Sequence, residues 1–183
     1  SARARLDRAR AAALGGDFAP ARELATERAP VERATQASLV ARWALWDGDA
    51  AAWEALIPPA SEVDPLARGD MAAAVLAVLR DGAVPAWVDE RMHELVATHG
   101  TSVRFSSLLH QLAAEVHAVG GEVPASLDWI AGGIQVGLID LMWLEHCPAL
   151  ARARAAPRYA ELRATLEART VPIRAALDRE VAG

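Results

Sequence analysis

Apolar positions along this chain recur at helical rather than strand spacing. Between Val31 and Trp46, Leu39, Val40, Trp43 and Trp46 fall at i, i+3 or i+4 and i+7, one face of a helix; Val103, Leu108, Leu109, Leu112 and Val116 repeat the pattern. Gly and Pro break the pattern at regular intervals. Small turn pairs stand at Gly16-Asp17, Gly48-Asp49, Asp81-Gly82-Ala83 and Gly120-Gly121-Glu122, with marker glycines 32, 34 and 38 residues apart. That interval belongs to helix-turn-helix repeats. A shift of 32 lays Ala9-Arg10 on Ala41-Arg42 and Leu24 on Leu56, and a shift of 34 lays Trp53 on Trp87. A glycine ends each helix by taking the left-handed conformation cheaply, and the polar or proline residue after it opens the next.

The pattern predicts helices over 2–14, 20–28, 31–46, 50–57, 65–80, 85–98, 102–119, 124–136, 140–145 and 156–181. Prolines at Pro58-Pro59, Pro65, Pro85 and Pro124 fall at starts or links, where a missing N–H costs little. Pro172 is expected to kink or divide the last helix. The expected fold is an all-α solenoid of about four helix pairs over 1–136, closed by a segment and capping helix over 137–183. It forms one domain and reads as part of a larger protein.

Composition agrees with this reading. Ala, Leu, Arg and Glu dominate, residues that lose little side-chain entropy in a helix. A chain of 183 residues buries roughly 70% of its unfolded surface without disulfide or metal. All 19 basic residues are Arg, yet the net charge is −5, which argues against nucleic acid as a partner. A single cysteine, Cys147, excludes an internal disulfide and fits a reducing cytoplasm. The apolar stretches 71–79 and 130–144 are too short or too interrupted to span a membrane.

The first three repeats resemble tetratricopeptide repeats in their small residues four apart, Gly-Asp turn and prompt second helix. Trp43 and Trp46 stand where small residues are expected, and the fourth repeat is stretched. The run Gly137-Leu138-Ile139-Asp140-Leu141-Met142-Trp143-Leu144-Glu145-His146-Cys147-Pro148-Ala149-Leu150, followed by Pro157-Arg158-Tyr159-Ala160-Glu161-Leu162 and Arg169, resembles a more specific closing pattern. It is found at the end of the tetratricopeptide-like regions behind bacterial, myxobacteria-like serine/threonine protein kinase domains. The resemblance implies a regulatory or interaction segment of a signalling protein. Kinase parts are absent: no Gly-rich phosphate loop, no Val-Ala-Ile-Lys strand, no His-Arg-Asp loop and no Asp-Phe-Gly.

Candidate chemistry is sparse, and no cofactor is expected. Glu90 and His93 form one Glu-x-x-His; with His110 and His117, two turns apart, they make a metal-dependent helical-bundle enzyme the weaker alternative. His146-Cys147 pairs an imidazole with a thiol, but sequence neighbours on a helix point in different directions. The leading expectation is a non-enzymatic module for a protein or peptide partner. Arg10 and Arg42, at equivalent repeat positions, would line its inner groove and hold carboxylates. Trp46, beside the Asp47-Gly48 turn, is the tryptophan expected at the surface, whereas Trp53 and Trp87 are expected in the core. The structural rival is an array segment that packs within its own chain or pairs as a homodimer.

Overall fold

The structure, a computed structural model, describes residues 2–26, 33–56, 68–99 and 102–181. Within them lie ten α-helices: α1 Ala2–Leu14, α2 Ala19–Thr26, α3 Arg33–Asp47, α4 Ala50–Glu54, α5 Arg68–Asp81, α6 Val88–His99, α7 Val103–Val119, α8 Val123–Val136, α9 Leu141–His146 and α10 Pro157–Val181. Two 3₁₀ turns, Pro148–Leu150 and Ala153–Ala155, join the last two helices, and no strand occurs among the described residues. Each predicted helix has a counterpart whose described ends agree to within a turn. The expected extensions over 27–28, 31–32 and 65–67, and Pro58-Pro59, lie outside the described residues.

Local chemistry accounts for the breaks. Asp49, Ser102 and Asp140 cap α4, α7 and α9, each side-chain oxygen accepting the N–H three residues on. The glycines Gly16, Gly48, Gly82, Gly121 and Gly137 all have positive φ. Gly137 is the most constrained: its φ is 112°, and a Cβ there would come within 2.7 Å of Val103 Cγ1. Pro172 lies inside a continuous α10 and does not divide it.

The core is arranged around α7. Every residue from Leu109 to Ala118 is buried, so this helix is enclosed on all sides rather than along one stripe. The face predicted there is only partly inward: Val103 and Leu108 are exposed, whereas His110 and His117 are fully internal. α8 packs along α7 most closely, and Ser126 Oγ donates to the Ala114 carbonyl between them. Gly132 and Gly133 permit this approach, since a Cβ on either would sit about 3 Å from the His110 side chain. α3, α5, α6 and the turn at Pro148–Leu150 cover the remaining sides.

The repeat register pairs α1 with α2, α3 with α4, α5 with α6 and α7 with α8; among the described residues all of these pack closely except α5 and α6. α3, however, packs more closely on α5 than on α4 and also reaches α7 and the Pro148–Leu150 turn, contacts that bring the early repeats against the closing segment. Arginines tie α10 down. Arg163 bonds Glu145 at 2.8 Å, Arg158 reaches Asp128, and Arg169 donates to the Ile134 carbonyl.

Gly137→Ala is expected to destabilise the fold by more than Gly16→Ala. A Cβ on Gly16 would meet nothing within 4 Å, so its replacement incurs only the left-handed backbone penalty of about 1–2 kcal/mol, whereas Gly137 adds the collision with Val103. Urea denaturation of both variants measures the difference.

Candidate functional site

The Arg10 and Arg42 ladder does not form. Arg42 is buried, and its guanidinium is turned inward to α7, where Nε lies 3.0 Å from each oxygen of Glu115 and an Nη donates to Gln111 Oε1 at 3.1 Å. Glu115, wholly buried, also accepts from Trp143 Nε1 at 2.6 Å. Gln111 passes the network on to Asp140 at 3.3 Å, and Asp140 in turn accepts from Arg10 at the partly exposed edge. The two arginines thus occupy opposite ends of one internal network linking α1, α3, α7 and the cap of α9. Burial opposes the charge on Arg42, but the adjacent Glu115 carboxylate outweighs it and holds the guanidinium protonated more firmly than usual.

Trp46 is also inside, contrary to expectation. The Arg42 guanidinium lies 5.0 Å from its ring centroid, one helical turn away, so the same charge that seeks Glu115 is covered by the indole. Trp53 is buried as expected, but Trp87 is 42% exposed. The physical difference is position: Trp53 lies within α4, whereas Trp87 falls in the turn before α6 begins at Val88, where no helical face carries it inward.

The four residues of the metal alternative do not converge on one point. Glu90 is exposed on α6. His93 Nδ1 meets the Asp89 carbonyl at 2.7 Å and its ring lies 4.5 Å from Trp129. His110 Nδ1 meets the Ser106 carbonyl at 2.8 Å and its ring packs edgewise on Trp129. His117 points toward α6 and the α7–α8 turn, with Nε2 2.9 Å from Asp89 and Nδ1 2.7 Å from Glu122. Asp89 also accepts from Trp129 Nε1 at 3.0 Å, so this cluster fastens α6 to the α7–α8 hairpin. No group of three or more His, Cys, Asp or Glu side chains arranged to hold a metal occurs among the described residues.

His146 and Cys147 diverge as adjacent residues do. His146 is exposed, while Cys147 is fully buried. Burial, reinforced by the Glu115 charge and only partly opposed by Arg42, holds the thiol well above its usual range. The neutral form that results is a poor nucleophile.

Glu115 and Gln111 form the polar interior, while Asp89 and Glu122, both exposed, close over the buried His117 from the surface; no motif in the sequence marks their roles. One available signal is Glu115 itself, an acid inside the apolar run Leu112 to Val119, which calls for an internal cation.

Some large apolar side chains also stand at the surface. Ile139, Met142, Val171 and Ile173 are 51, 54, 57 and 41% exposed, and Ile139, Asp140, Leu141, Met142, Thr170 and Ile173 line a cleft of about 190 Å³ between α9 and α10. Asp140, its acidic member, already caps α9 and pairs with Arg10. No family model matches the chain, nor does any curated protein or solved structure.

Three outcomes follow from the interior. Glu115→Ala strands a buried guanidinium and is expected to cost about 3–5 kcal/mol, while Arg42→Met combined with Glu115→Leu is less destabilised than Glu115→Ala alone; a double-mutant cycle in urea reads both. Cys147, being neutral and enclosed, is expected to react with a thiol reagent on the order of a hundredfold slower in the native protein than in urea. Because its folded pKa is raised, the stability it supports is complete below the unfolded value of about 8.5 and declines as pH rises beyond it. Cys147→Ala should flatten that alkaline decline in denaturation measured from about pH 8 to 10.

Proposed function

We propose that the chain is a non-catalytic, protein-binding helical module whose contact surface is the apolar face between α9 and α10. The observation that carries this reading is the clustering of Ile139, Met142 and Ile173, three large exposed apolar side chains that line one cleft. A contiguous exposed apolar patch of this kind marks an interaction site more often than a single exposed residue does. The cleft is smaller than the roughly 300–1,000 Å³ of a small-molecule pocket, which favours insertion of one or two partner side chains.

Tetratricopeptide-like hairpins are part of this proposal. Left-handed glycines at Gly16, Gly48 and Gly82 support them, as do the paired helices α1–α2 and α3–α4. The likeness of the Gly137 to Leu150 run to segments behind bacterial kinase domains supports a regulatory place in a larger cytoplasmic signalling protein. The contact surface moves away from Arg10, Arg42 and Trp46, because the last two are internal.

A photo-crosslinking side chain at Met142, compared with one at exposed Glu161 on the outer side of α10, tests the surface in cells of the source type. Discrete protein adducts are expected from position 142 and not from position 161. Equal labelling, or none from 142, overturns the reading.

A further inference from the structure

His117, near the C-terminal end of α7, is 1% exposed and has an acid at each ring nitrogen. Nε2 lies 2.9 Å from Asp89 Oδ1 on α6, and Nδ1 lies 2.7 Å from Glu122 Oε2 in the α7–α8 turn. An ionised carboxylate only accepts hydrogen bonds, whereas a neutral imidazole has one N–H and one lone pair. A neutral His117 would aim that lone pair at one of the two carboxylates. Both contacts form together only when the ring carries both protons. We infer that the Asp89–His117–Glu122 cluster is a proton-operated latch, in which an imidazolium closes α6 onto the α7–α8 hairpin and loss of its second proton releases the first turn of α6.

The two histidines beside Trp129 lack this arrangement. His93 Nδ1 faces the Asp89 carbonyl and His110 Nδ1 the Ser106 carbonyl, so one N–H serves each and the neutral ring suffices. Among the described residues, only Asp89 and Glu122 bond to the His117 ring. Other titratable and charged groups on the surrounding elements have different partners or stand in solvent. Glu115, on the same helix, pairs with Arg42, and Asp128 of α8 pairs with Arg158. Arg152 donates to the Val119 carbonyl, and His93 lies against Trp129. Glu90 on α6 and Asp81 at the end of α5 are exposed.

The direction of the effect follows from the proton count. In an open latch His117 titrates as a free side chain does, near pH 6.5, and above that pH it has released a proton that the closed latch still holds. Closure is therefore favoured by acid and weakens as pH rises. Below about pH 4 the carboxylates take up protons and the acceptors are lost, so the latch is tightest in mildly acidic solution. Release leaves α6 held by its buried Val88, Met92 and Leu95. The helix then loosens at the turn that carries Asp89 while the rest of the fold stays intact.

Amide hydrogen exchange of the 183-residue chain tests the latch, read as protection factors, which correct for the pH dependence of exchange itself. From about pH 6 to about pH 8, protection of α6 should fall at least about tenfold, while that of α3 on the opposite flank changes by less than about twofold. Asp89→Asn combined with Glu122→Gln should remove the dependence, because a carboxamide offers both an oxygen and an N–H and so satisfies a neutral ring. His93→Gln should retain it. Protection of α6 that is flat in the native chain, persists as pH-dependent in the double variant, or loses its pH dependence in His93→Gln overturns the inference. Nitrogen-15 spectra of the native imidazoles give a second measure that needs no variant. At about pH 7, where a free imidazole is mostly neutral, both ring nitrogens of His117 should carry protons, and a ring with a single protonated nitrogen overturns the inference.

Discussion

Arg42 and Glu115 face each other in the interior, and the arrangement of the molecule depends on that pair being complete. α7 is enclosed on every side, so a carboxylate on it has no route to water and must be matched by a charge delivered from another element. α3 delivers it. The requirement fixes how α3 lies against α7, places Trp46 over the guanidinium, and recruits Trp143 from α9 to the second carboxylate contact. Gln111 and Asp140 extend the same set of bonds to Arg10 on α1. Helices drawn from both ends of the chain are thereby referred to one buried carboxylate.

An ion pair of this kind adds little net stability over well-packed apolar residues, but it penalises any packing in which one partner is left alone. That penalty selects a register between helices whose apolar faces are rich in Ala and would otherwise slide with small loss. The Asp89–His117–Glu122 cluster has an analogous position on the opposite flank, where it holds α6 to the α7–α8 hairpin. The surface proposed for a partner is the apolar one beside α9 and α10.

The helices were legible because their signals are local. The glycine at 48, the Asp49 and Ser102 caps and the 3.6-residue period act within a turn of the residues they govern, so element order and approximate ends can be read directly from the chain. The surface was less legible. Arg42 and Arg10 share a repeat position, and repeat position predicts a shared environment only when each repeat touches its neighbours alone. Here α3 also meets the closing segment, and that extra contact turns Arg42 from a groove residue into an internal one. Trp46 follows it inward for the same reason, and Trp87 stays outside because its turn precedes the helix that would have carried it in.

The sequence by itself determined that the chain is helical and where its helices stop. Only the tertiary structure decided that Glu115 is buried, which cation answers it and which apolar side chains remain uncovered. The reason is range. Caps, turns and periodicity are interactions among residues a few positions apart, whereas the pairing of Arg42 with Glu115 spans 73 positions and the Arg10–Asp140 contact spans 130. Contacts so distant along the chain depend on the packing of several helices at once, and no local pattern encodes their outcome.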